Sequence, residues 1–227
     1  MSSKTLFRLS GLALLIALPI QVVGWILHPT GEALADLLSP TQGLAHILMF
    51  VSWMFALLGL PGLYARQAHR AGVLGLVSFA LVMYSTAYSF YLLLYEAYPA
   101  PLLARNVATQ ALIVTGGPLA HGAGALGPVG LVLVILAFPL FGIATVRAGV
   151  LPRGSGWLQI VCVPVFFLGM ILLPPEIQAR LPGMATPIAM QYYLLFLGYA
   201  WGGYALWIEK ERLPASVAQI GEPQSVI

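Results

Sequence analysis

The sequence predicts an all-α fold: a polytopic membrane helical bundle of six transmembrane helices, with both termini in the cytoplasm. Three observations predict it. Of 227 residues, 60% are hydrophobic and only 7% are charged. A soluble domain carries roughly 25% charged residues, so most of this surface has lipid as its solvent. The apolar runs approach the roughly 20 residues that a spanning helix needs, and they do not show the roughly 10-residue alternation of a membrane β-barrel. Finally, the Lys and Arg residues between the runs gather on one side.

The first span, about 8–27, follows Lys4 and Arg8. Its apolar stretch outlasts the roughly 7–15-residue core of a secretory signal, so it reads as a retained helix. Residues 28–42, HPTGEALADLLSPTQ, read as a surface connection with one or two helical turns. The second span, about 43–65, and the third, about 73–95, flank Arg66, His69 and Arg70. Residues 96–125 make the longest connection. Within it Leu103, Val107, Ala111 and Val114 recur at helical spacing, and Arg105 argues against a seventh crossing. A short amphipathic helix lying in the interface is therefore expected. A Gly-rich stretch leads into the fourth span, about 126–146. Arg147 and Arg153 separate it from the fifth, about 157–175, and Lys210 and Arg212 follow the sixth, about 186–208. The transmembrane domain is expected over 1–213, with a loose polar tail at 214–227.

Eight of the ten Lys and Arg residues (Lys4, Arg8, Arg66, Arg70, Arg147, Arg153, Lys210, Arg212) thus share one face. The opposite face carries Arg105 and Arg180 with Glu32, Asp36, Glu96 and Glu176. The bias toward Lys and Arg on the cytoplasmic side then gives the orientation, and the expected location is the cell (inner) membrane, multi-pass. The net charge of +3 resides at span ends, where it meets membrane lipids, and no nucleic-acid partner is expected. Cys162 is the only cysteine, which excludes an intramolecular disulfide.

The phrases GLPGLYARQA (59–68) and RAGVLPRG (147–154) resemble segments of uncharacterised bacterial multi-span integral membrane proteins. The resemblance covers the second to fifth spans. It implies no activity and supplies no site residues.

Two groups of residues invite a functional reading. The topology brings His28, His46 and His121 toward one side, with Glu96 and Glu176 near them. Imidazole with carboxylate support is a common ligand set for a divalent metal, and two histidines on neighbouring helices are a ligand set for haem iron. Histidines at helix ends, where water reaches them, also occur with no such role. The second group is aromatic. Tyr84, Tyr88, Tyr91 and Tyr95 fall on one face of the third span, and the sixth offers Tyr192 and Tyr199. Gln21 lies on the face of the first span that ends at His28. Facing one another, these groups would line a pocket for a lipophilic guest such as a quinone, an isoprenoid or a lipid. Interhelical hydrogen bonding, on the order of 0.6 kcal/mol per bond, is the alternative.

Gly198 and Gly202 form a Gly-x-x-x-Gly that lets two helices approach closely, either within the bundle or in a homo-oligomer or membrane complex. No phosphate-binding loop, paired cysteine, HExxH or GxSxG is present. No acid or base lies in mid-span, which disfavours an ion-coupled carrier. Three readings follow. The first is a protein that binds a lipophilic small molecule, or serves as an accessory subunit, near the outer leaflet. The second is a metal- or haem-dependent enzyme using His28, His46 and His121, with Glu96 or Glu176 as acid or base. The third is an assembly scaffold.

Overall fold

The computed structural model describes residues 3–30, 33–114, 117–120, 127–178 and 180–208. The fold is all-helical, with no strand among the described residues. In order, the elements are α1 (Ser3–Leu27), α2 (Leu34–Leu37), α3 (Gln42–Ala97), α4 (Pro99–Arg105), α5 (Gln110–Ile113), α6 (Gly127–Ala148), α7 (Arg153–Leu172), α8 (Pro175–Gln178), a 3-10 turn (Gly183–Ala185) and α9 (Pro187–Ile208). Three runs are long and apolar enough to cross a membrane: Ser3–Leu27, Gln42–Arg105 and Arg153–Leu172. The apolar stretch Val132–Ala148 is shorter. His121, Lys210, Arg212 and the tail expected at 214–227 lie outside the described residues.

The stretches expected as the second and third spans form one run, α3, broken only at Gly72 (φ 57°, ψ −152°). That backbone region is open to glycine and strained for other residues. The chain reverses there. Tyr64 stacks on Phe79 with centroids 4.4 Å apart, Phe50 meets Phe90 at 5.2 Å, and Gly43 lies beside the Ala97 carbonyl. So α3 is an antiparallel hairpin with legs 42–71 and 73–97. The connection expected at 66–72 is helical up to its last residue.

α1 packs against α3 and α9, α3 against α6, α6 against α7, and α7 against α9. These five elements close into a ring around Trp53, Phe138, Phe141, Leu195, Phe196 and Tyr199. One end of the ring holds the basic residues. There Arg8 lies over the Trp207 ring at 4.9 Å, and Gln67 Nε2 donates to Thr145 Oγ1 at 3.1 Å. Gly11 faces the Gly203 carbonyl and Gly142 faces Gly156. The start of α1, the reversal at Gly72, the α6–α7 turn at Gly149 (φ 61°) and the end of α9 share this end. His28, His46 and Glu96 lie at the other.

Gly198 and Gly202 are spent inside the bundle. A β-carbon on Gly198 would press on the Ser155 carbonyl at 2.9 Å, and one on Gly202 on Leu63 and the Ser155 hydroxyl. Ser155 Oγ in turn donates to the Gly198 carbonyl at 2.8 Å.

The connection after α3 departs from expectation. Instead of one amphipathic helix through Leu103 and Val114, α4 stops at Arg105 and α5 begins at Gln110. Asn106 is extended (φ −104°, ψ 115°). Its Oδ1 accepts from Ala108 N at 3.0 Å, and Thr109 Oγ1 donates to the Leu103 carbonyl at 2.7 Å. These side chains offer the backbone an alternative to helix, and Val107 is left outside at 82% exposure. Leu37, Ala100, Ala104 and Ile113 then form a small separate apolar cluster.

Candidate functional site: a cavity between α1, α3 and α9

A cavity of about 310 Å³ lies at the end opposite the basic residues, between α1, both legs of α3 and α9. Its wall comes from four helical stripes. α1 contributes Gln21, Trp25 and His28; the first leg of α3 contributes Gln42, His46, Met49 and Trp53. The second leg contributes Ser89, Leu93 and Glu96, and α9 contributes Ile188 and Tyr192. Each stripe recurs every three or four residues, which places its members on one helix face.

Most of the wall is apolar or aromatic. Trp25 stacks on Tyr192 with centroids 5.9 Å apart, and Trp53 meets Tyr192 edge-on at 6.0 Å. Polar groups converge on it. Gln21 and Trp25 are 1% and 5% exposed, and neither Gln21 Oε1 nor Trp25 Nε1 has a hydrogen-bond partner among the described residues. A buried polar atom left unpaired costs about 1–3 kcal/mol, so these two side chains carry an unmet hydrogen-bonding demand beside the cavity.

The two histidines meet here. Their ring centroids are 4.9 Å apart, tilted by 54°, and His28 also lies 4.9 Å from Trp25. His28 Nδ1 donates to the Pro29 carbonyl at 2.7 Å and His46 Nδ1 to the Gln42 carbonyl at 2.8 Å. With Nδ1 carrying the proton, Nε2 of each ring is an acceptor. Burial holds the His28 imidazole below its ordinary titration value, against the opposing pull of the Pro29 carbonyl and of Asp36. Glu96 closes the cavity beside Gln42, whose Nε2 donates to Glu96 Oε2 at a long 3.5 Å.

The sequence-predicted residues divide. Gln21, Tyr192, His28, His46 and Glu96 line one cavity. Glu176 is exposed on α8 and is not part of that wall. Tyr84 and Tyr91 turn outward, 55% and 46% exposed, and Tyr84 lines a shallow external groove with Leu76 and Val129. Tyr88 lies against Gly130 of α6. The face that the second leg of α3 buries is the one with Gly75, Ser78, Val82, Ser85 and Ser89. Small residues let it approach its neighbours, and the tyrosines occupy other sides. Tyr199 is buried in the core against Phe196 at 5.9 Å, apart from the cavity wall.

Two imidazoles packed ring to ring at 4.9 Å leave no room for a porphyrin plane between them. Among the described residues no group of three His, Cys, Asp or Glu forms a metal-binding cluster. Trp25, Gln42 and Trp53 were missed as site residues. Their signal was spacing alone: Gln21, Trp25 and His28 fall at i, i+4 and i+7, and Gln42, His46, Met49 and Trp53 at i, i+4, i+7 and i+11.

Comparison of the chain with protein-family models, curated proteins and solved structures finds no match in any of the three.

Proposed function

We propose that this chain is a six-span membrane protein, both ends cytoplasmic, that binds a small amphipathic molecule in the cavity between α1, α3 and α9, near the outer leaflet. The reversal of α3 at Gly72 supports counting its legs as two spans, and α6, α7 and α9 supply three more beside α1. The gathering of Lys4, Arg8, Arg66, Arg70, Arg147 and Arg153 at one end supports the orientation.

One observation carries the binding reading: the buried, unpartnered Gln21 Oε1 and Trp25 Nε1 on the wall of an otherwise largely apolar cavity. Ligand sites combine such a wall with a few placed polar groups, in volumes from roughly 300 Å³ upward. A packing defect would not need a donor, an acceptor and two imidazoles at the same place.

Solvent extraction and mass spectrometry of the detergent-purified protein test the reading. A small amphiphile is expected to co-purify in a fixed ratio to protein, and Trp25→Phe, which keeps an aromatic ring while removing the N–H and part of the indole, is expected to lower that ratio several-fold, by at least roughly the loss of one hydrogen bond. Recovery of bulk membrane lipid alone, in equal amounts from both proteins, would end the reading.

A further inference from the structure

We propose that His28, His46 and Met49 form a binding site for copper(I) on the wall of the cavity. The inference goes beyond the binding reading above and does not depend on it.

The two imidazoles already stand in the tautomer that a metal needs. Each commits its Nδ1 proton to a backbone carbonyl, His28 to Pro29 at 2.7 Å and His46 to Gln42 at 2.8 Å, which leaves the Nε2 lone pair. Neither ring makes a second hydrogen bond to a described residue. A ring N–H held by a backbone carbonyl is the usual outer support of a metal-bound histidine, because it fixes the tautomer and the orientation of the ring. The separation of the rings also fits. A metal about 2 Å from one nitrogen of each ring puts two imidazole centroids roughly 4.5–6 Å apart, and these lie 4.9 Å apart.

Met49 supplies the third donor. It follows His46 by three residues, on the same face of α3, and lines the same cavity. Its side chain packs against Gly24 of α1, four residues before His28. A helical side chain leans toward the N-terminus of its helix, which carries the Met49 thioether toward His46.

The donor set names the ion. A thioether is a soft ligand, and beside imidazole it selects copper(I) over the harder divalent ions. All three ligands are neutral, so the charge of the ion is buried with it. That cost grows with the square of the charge, which again favours a monovalent ion. Glu96, the carboxylate on this wall, is engaged by Gln42 and is left out of the set.

The full-length protein in detergent is loaded with copper(I) under ascorbate and titrated with bicinchoninate, a coloured competitor for copper(I). One copper per chain is expected to stay bound, and Trp25, whose ring lies 4.9 Å from His28, is expected to lose fluorescence. Met49→Leu keeps approximate volume and removes the sulfur. It is expected to melt like the wild type without metal and to hold copper(I) about tenfold or more weaker. His28→Asn is expected to lose retention altogether, and zinc(II) at equal concentration is expected not to displace copper from the wild type. Unchanged affinity in Met49→Leu, unchanged stoichiometry in His28→Asn, or displacement by zinc overturns the inference. A folded protein that holds no copper yet carries a co-purifying amphiphile sinks the metal site and keeps the binding reading. Copper without an amphiphile does the reverse.

Discussion

At the basic end of the bundle glycine lies where α1 meets α9 and where α6 meets α7, whereas rings form much of the cavity wall at the other end. A β-carbon on Gly11 would collide with the Gly203 carbonyl, and Gly142 and Gly156 approach each other's carbonyls in the same way. Gly59 and Gly62 press on Leu14 and Ser10. Further along the same helices, Trp25, Trp53, Tyr192 and the two histidines line the cavity. Close approach is not confined to the basic end: beside the cavity, Gly24 of α1 lies against Met49 and the Ala45 carbonyl of α3. In a membrane, where lipid tails are as apolar as leucine, close van der Waals packing is what holds helices together. Glycine supplies it at both ends, and the aromatic end also leaves a space.

The largest expected effect falls on the glycine end. Gly11→Leu puts a branched side chain into the Gly203 backbone and should destabilise the fold by about 1–3 kcal/mol, the range for overpacking a filled site. Ser89→Phe, which adds a similar bulk at the cavity wall, has open volume beside it and should lose clearly less. Thermal unfolding of both variants in one detergent measures the difference. Equal losses would mean that the two ends are packed alike and that the cavity closes in solution.

A smaller effect of opposite sign is expected at the cavity. Gln21 is buried and its Oε1 is unpaired, so the protein carries a desolvation cost at this atom. Gln21→Leu keeps approximate volume, removes that oxygen, and should raise ligand-free stability by about 1 kcal/mol while weakening retention of the co-purifying molecule. Destabilisation by this variant would show that Gln21 is a structural hydrogen-bonding residue rather than a site residue.

Much of this architecture was legible in the chain. Apolar length, Lys and Arg placement and the Pro and Gly punctuation located the long helices to within a few residues, with Ser3–Leu27 and Arg153–Leu172 starting earlier than expected. What was hidden was which stripe faces inward. The tyrosine stripe and the Gln42–His46–Met49–Trp53 stripe have the same spacing, and periodicity does not distinguish a face toward lipid from a face toward a neighbour when lipid is also apolar. The small residues Gly75, Ser78, Ser85 and Ser89 were the better guide, because only they permit backbones to approach. The reversal at Gly72 falls within the connection expected at 66–72; what local pattern did not show is that the helix runs on to residue 71 and leaves helical geometry at Gly72 alone.

The smallest expected effect is a pH dependence confined to the cavity end. His28 sits just beyond α1, with His46 of α3 against its ring, Trp25 beneath it and Asp36 contributing a negative potential. Burial dominates and pushes the imidazole below its ordinary value of 6.5. The sign follows from proton counting: between the folded and unfolded values the unfolded chain binds more protons, so stability rises with pH there. The contribution is fully present above 6.5 and is lost as the pH falls from 6.5 toward the lower folded value. Melting temperatures of the wild type and His28→Asn, followed from neutral pH downward, compare the protein with and without this imidazole. The wild type should lose more stability than the variant as the medium acidifies. Parallel curves would mean that His28 is solvated enough to take its proton freely, and the acceptor role of its Nε2 in the cavity would then hold only at higher pH.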